Sequence, residues 1–186
     1  MGRITRQVGA LLASAALVAG AAACNSGSGS AGSPDSSGTA ASSDPPVTPA
    51  EPLRFYPVVR ESQGTCPAGK ASYIRDGHSD SCLRLAAPAL TVTQLRSARA
   101  ARIEGGTWAV QIVLRPADRA RFGTLTKKLS ANQPPRNKLA LVLGTAPGGR
   151  LLTAPVVMSR ISTGSVQITG GFTKSSAQRL VHDLGA

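Results

Sequence analysis

The stretch Thr107–Leu129, TWAVQIVLRPADRARFGTLTKKL, decides the fold class. Trp108, Val110, Ile112 and Leu114 alternate with Thr107, Ala109, Gln111 and Arg115, which predicts a strand with one buried face. Pro116 ends that strand and suits the first turn of a helix, and Asp118 stands where a carboxylate favours the N-terminal dipole. Phe122, Leu125 and Leu129 then share one helical face. A half-buried strand feeding straight into an amphipathic helix implies helices laid on a sheet.

Upstream, Glu104, Gly105 and Gly106 read as the tip of a hairpin whose return arm is the Trp108 strand, and Gln94–Ala98 as a short helical turn before it. Leu53–Val59 (LRFYPVV) reads as a first strand, which Pro57 places at a sheet edge. Cys66 and Cys82 enclose a polar loop, and a disulfide between them would stabilise the fold by roughly 3 kcal/mol in the chain-entropy model.

Downstream, Leu139–Leu143 (LALVL) is continuously apolar, as a central strand covered on both faces should be. The loop Gly144–Gly149 leads to a partner strand at Arg150–Thr153, and Val156–Met158 continues it past Pro155. Ser165–Thr169 is a further strand pointing Val166 and Ile168 to one side, and Gly170 and Gly171 turn the chain after it. Thr173 caps a last helix in which Ala177, Leu180, Val181 and Leu184 form the apolar stripe. The sum is α+β: two principal helices packed on a mainly antiparallel sheet, with one core and one disulfide.

The other end of the chain carries a targeting signal. Arg3 and Arg6 precede an apolar run from Val8 to Ala19, and Ala21, Ala22 and Ala23 lead into Cys24. Residues 1–24 read as a signal peptide, because a dozen apolar residues fall short of the roughly 20 a membrane span needs. Ala-Ala-Ala suits an ordinary signal peptidase too, and a lipoprotein box usually carries Leu where Ala21 stands. The cysteine count favours lipid: Cys66 and Cys82 can pair in an oxidising compartment, leaving Cys24 as the lipid-attachment residue. The alternative is a secreted protein with a free thiol. Residues 25–51, rich in Ser, Gly, Ala and Pro, read as a disordered tether with a span of about 30 Å. The folded domain is residues 52–186, expected at the outer face of the cytoplasmic membrane.

That domain holds 14 Arg and 5 Lys against six carboxylates, a net charge of +13. Outside a membrane such a balance favours anionic lipid headgroups, wall polymers or acidic polypeptide. Two Tyr, three Phe and one Trp are too few for the stacking platforms that single-stranded nucleic acid requires, and no nucleic-acid partner is expected. Arg96, Arg99, Arg102, Arg115, Arg119, Arg121, Lys127 and Lys128 are candidates for one basic surface, the plain alternative being a solvated face.

In order along the chain, LTVTQLRSARA (90–100), the Trp108 strand, Leu139–Leu143, Thr153–Val157, Ile161–Gly164 and QITGGFT (167–173) with its Ala177 helix resemble the head subdomain of SecD and SecDF. Those are membrane subunits of the protein-export machinery. The resemblance implies a head-like fold and a module that contacts secreted polypeptide or an export or envelope partner. Gly144–Gly149 replaces the family's short Asp-Gly turn. No stretch here resembles the family's membrane helices or base subdomain, so a proton-driven motor is not expected, and fold similarity alone does not carry function.

The remaining chemistry is thin. His78 between Asp76 and Asp80 offers one imidazole and two carboxylates, a poor metal set, and a solvated loop is the expectation. His182 suits the negative end of the last helix. No Ser has a nucleophile-elbow setting, the only domain glutamates, Glu61 and Glu104, are far apart in sequence, and the paired glycines lack a phosphate-loop pattern. No residue pattern calls for a cofactor or metal, so a non-enzymatic binding module is expected.

Overall fold

The computed structural model describes residues 45–186, and its frame is strand β1, Leu53–Gln63. Leu53 and Phe55 of β1 join one hydrophobic cluster, Tyr56 and Val58 another. On one side β1 pairs antiparallel with β7 (Leu139–Leu143), from Leu53↔Leu143 to Pro57↔Leu139. On the other it pairs first with β4 (Leu90–Val92), then with β3 (Ser81–Leu85), which pairs in turn with β2 (Tyr73–Asp76). With β8 (Arg150–Thr153) beyond β7, the order is β2-β3-β1-β7-β8, and β4 lies beside β1. Strands β2 and β8 come into contact, so this sheet curls.

Pro57 thus lies inside the sheet rather than at an edge. Its carbonyl accepts from Ala86 N at 2.9 Å, so the missing donor faces the crossover between β3 and β4 and breaks no ladder bond. The disulfide loop is not merely polar either. Cys66 and Cys82 are bonded, and the enclosed chain forms β2, which pairs with β3 into a hairpin whose Ile74, Leu83 and Leu85 are buried.

A second sheet has the order β5-β6-β9: β5 Leu95–Arg102, β6 Trp108–Leu114 and β9 Ser165–Phe172. Leu95–Ala98 is strand, not a helical turn, because pairing of Ser97 with Val113 and Ala98 with Ile112 overrides the local preference of Ala and Arg. The hairpin tip falls at Glu104–Gly106 as expected. Gly170 and Gly171 do not turn the chain. They form a bulge opposite Ala109, with Gly171 at φ +65°, and β9 runs on until Phe172 meets Trp108. Val156–Met158 makes one bridge, Lys138↔Val156, and no strand, because the chain leaves to cross a helix.

The two helices are α1, Pro116–Ser130, and α2, Lys174–Asp183. Thr173 caps α2 through a reciprocal pair, its Oγ1 accepting from Ser176 N and Ser176 Oγ accepting from Thr173 N. Instead of one core there are two clusters, on opposite faces of the β1–β7 pair. The larger joins Leu53, Phe55, Leu139, Leu141 and Leu143 to both helices and to Val110, Ile112 and Ile168 of the second sheet. The smaller holds Tyr56, Val58, Ala140 and Val142 with the β2–β3 hairpin. Every residue of LALVL is accordingly buried.

The ordered body begins before Pro52. Val47 and Leu95 exchange backbone hydrogen bonds of 2.9 and 2.7 Å, and Ala50 N donates to Asp183 O, so the last residues assigned to the tether are docked. The signal peptide, Cys24 and residues 25–44 lie outside the described residues.

The disulfide anchors the hairpin that closes the smaller cluster. Cys66→Ser, at the less buried partner, should lower stability by about 3 kcal/mol and the thermal midpoint by roughly 10 °C for a domain of this size. Thermal unfolding with and without reductant measures it.

Candidate functional site

The eight basic residues expected to share a surface are all exposed, but they stand in separate settings. Arg99 donates from Nε and Nη2 to Gln111 Oε1 across the strand pair, at 3.0 and 2.8 Å. Arg102 Nε donates to Gly106 O at the hairpin tip, and Arg115 to Gln94 Oε1. The stem of Arg119 lies on Gly164, where a Cβ would come within 2.6 Å of its Cγ. Only Arg121 and Lys128 border a common depression. Among the described residues the ion pairs are Arg75–Asp80, Lys138–Glu61 and Arg150–Asp183, so none of the eight is neutralised by a carboxylate.

The depression is a trough along α1. Arg121, Leu125 and Lys128 follow at i, i+4 and i+7 and so share one helix face, with Asn132 just beyond the helix end. Opposite them are Pro57, Val58 and Val59 of β1 and the small residues Ala86 and Ala89 of the β3–β4 crossover. The register of β1 on β3 slips between Val58 and Arg60, and Val59 is left 44% exposed. The part over β1 encloses ≈ 620 Å³, with Leu129 in its wall and Arg136 at its border. A second part of ≈ 440 Å³, lined by Ala120, Arg121 and Thr124, shares Ala89, Leu125 and Lys128 with it. No carboxylate lines either part.

Beside the trough β1 loses a neighbour. Its ladder with β7 ends at Pro57↔Leu139, with Val58 N still donating to Lys138 O, and among the described residues no strand pairs with Arg60–Gln63 on the side away from β3. Lys138 Nζ reaches Glu61 there at 2.6 Å.

His78 and its neighbours are engaged locally. Asp76 accepts from His78 N and Ser79 Oγ, and Asp80 pairs with Arg75. The imidazole lies over Gly170, where a Cβ would be 3.2 Å from Nε2.

The arrangement of sheets and helices recurs in known proteins. The family model described as SecDF, P1 head subdomain, matches residues 71–186. The chain belongs to this family. Over 77 residues it is 30% identical to the protein translocase subunit SecD of Streptomyces coelicolor (strain ATCC BAA-471 / A3(2) / M145), covering 41% of this chain and 13% of that protein. Two solved structures share the fold. One, a membrane component SecDF that enhances protein export, superposes with a TM-score of 0.53 at 24% identity, covering 74% of this chain and 63% of the other. SecDF in its super-membrane-facing form gives 0.51 at 23%, covering 74% and 18%. The chain therefore spans only part of each of these relatives.

The matched residues include α1 and the crossover but not Pro57–Val59, so this SecDF head builds its trough partly from a strand outside the family match. Sequence reading missed Val59, Ala86, Ala89 and Arg136. The available signals were an apolar residue out of phase with the pleat and a run of small residues, AAPA (86–89), where a helix comes close.

The loop that crosses α1 hangs on one buried hydroxyl. Thr126 Oγ1 donates to Phe122 O at 2.9 Å and accepts from Ile161 N at 3.0 Å. Thr126→Val strands that N–H, so chemical denaturation should show a loss of about 1–3 kcal/mol, with faster hydrogen exchange at Ile161.

Proposed function

We propose that this SecDF-head module is a non-enzymatic binding protein of the cell envelope that holds extended secreted polypeptide, or an export partner's extended segment, in the trough along α1. The observation that carries this reading is an apolar trough lined by exposed Val59 and Ala89 and half-buried Leu125, beside the unpaired edge of Arg60–Gln63. An extended chain can use both: a free strand edge offers main-chain hydrogen bonds, and an adjoining groove takes alternate side chains. The relatives' descriptions, a translocase subunit and a component that enhances protein export, support the same setting. Binding rather than catalysis fits the polar groups, since Glu61, Asp80 and Asp183 are each held by a cation and Cys66 by Cys82.

In this reading the leader is cleaved, Cys24 carries lipid, and the domain works on the outer face of the cytoplasmic membrane. Cys24→Ala should move the protein from the membrane fraction to the medium or soluble envelope fraction. Unchanged retention on membranes would remove the anchor from the account.

A photo-crosslinking residue at position 59 tests the trough in cells. It should capture emerging secretory chains, whereas the same residue at exposed Gln167 on the second sheet should not. Equal yields at the two positions would reject the assignment.

A second reading, an electrostatic envelope protein that binds anionic lipid or wall polymer, is favoured by the eight exposed cations without carboxylate partners. It requires binding that falls steeply with salt and is lost on neutralising Arg96, Arg99, Lys127 and Lys128.

A further inference from the structure

We infer that the trough selects for charge: the segment it holds best is a short apolar stretch bracketed by carboxylates. This rests on the proposed polypeptide binding and adds the class of sequence recognised.

Three cations border the trough, Arg121, Lys128 and Arg136, and none has a carboxylate within ion-pair distance. The nearest carboxylate along β1, Glu61, is already held by Lys138 Nζ and by Ser81 Oγ. The lining beside the cations is largely apolar and includes Val59, Ala89 and Leu125. A neutral segment would cover these cations without pairing them, and a basic segment would add like charge. A segment with carboxylates at its ends would pair them while its middle covers the floor, and complementary charge favours it over a neutral or a basic segment.

The helix sets the spacing. Arg121 and Lys128 stand two turns apart on α1, about 10 Å along its axis. An extended chain covers that distance in about three residues, and the long stems of Arg and Lys reach to either side of it. Two apolar residues between two carboxylates therefore match the trough.

The test uses the full mature chain and fluorescent ten-residue peptides sharing one apolar centre, bracketed by Glu, by Gln or by Lys. The Glu peptide should bind about tenfold tighter than the Gln peptide at low salt and lose that advantage as salt screens the exposed pairs. The Lys peptide should bind least. Arg121→Gln with Lys128→Gln should abolish the difference between Glu and Gln peptides, and Lys128→Arg should keep it. Circular dichroism checks that each variant is folded. Equal affinities for Glu and Gln peptides in the unmodified protein overturn charge selection and leave polypeptide binding standing. Failure of every peptide to bind overturns both, and binding of phosphatidylglycerol vesicles alone does the same in favour of an electrostatic envelope role.

Discussion

Burial of both faces of the β1–β7 pair is the constraint on which the rest of this structure depends. Leu53, Phe55, Leu139, Leu141 and Leu143 go to one cluster, and Tyr56, Val58, Ala140 and Val142 to the other. Each face needs its own cover. The second sheet and the helices cover the first, with Phe55 and Phe122 meeting at a ring separation of 5.3 Å. The β2–β3 hairpin covers the second, and a disulfide ties it in place. Strands with apolar residues on both faces cannot be left half exposed, so the layers on either side follow from the composition of this pair.

The candidate site arises where that cover runs out. Strand β1 is eleven residues long and β7 only five, so β1 outlives its partner just as its register on β3 slips. Val59 emerges, an edge opens at Arg60–Gln63, and the small side chains of Ala86 and Ala89 in the crossover leave space beside α1. The trough is thus a by-product of unequal strand lengths and one bulge. Its chemical character comes from helix periodicity, which sets Arg121 and Lys128 on the same face as Leu125.

Long periodic segments were readable in the chain itself. The Trp108 strand, the helix after Pro116, the apolar run at Leu139–Leu143 and the Thr173-capped helix depend on local spacing and appear where the spacing puts them. Strands β2, β3 and β4 were not readable, because they show neither a period nor a continuous apolar run and owe their form to partners distant in sequence. Leu95–Ala98 and Gly170–Gly171 misled for the same reason. Local preference suggested a turn at each, and pairing with β6 made both part of the second sheet. The site was legible only in part: Arg121 and Lys128 were named for their charge, whereas Val59, Ala86, Ala89 and Arg136 carry no marking of their own.

By itself the sequence determined the α+β class, the two helices and the Thr173 cap of the second, the pairing of Cys66 with Cys82, the excess of cations and the ordered motifs that resemble the SecD head. These are properties of neighbouring residues, of composition, or of linear order. Tertiary structure alone decided that Pro57 sits inside a sheet, that one apolar body is two clusters, that the eight cations divide among separate settings and that a trough opens beside Val59. Each of these depends on which distant strand lies alongside, and the free energy that selects the partner is burial shared between segments, which no single segment records.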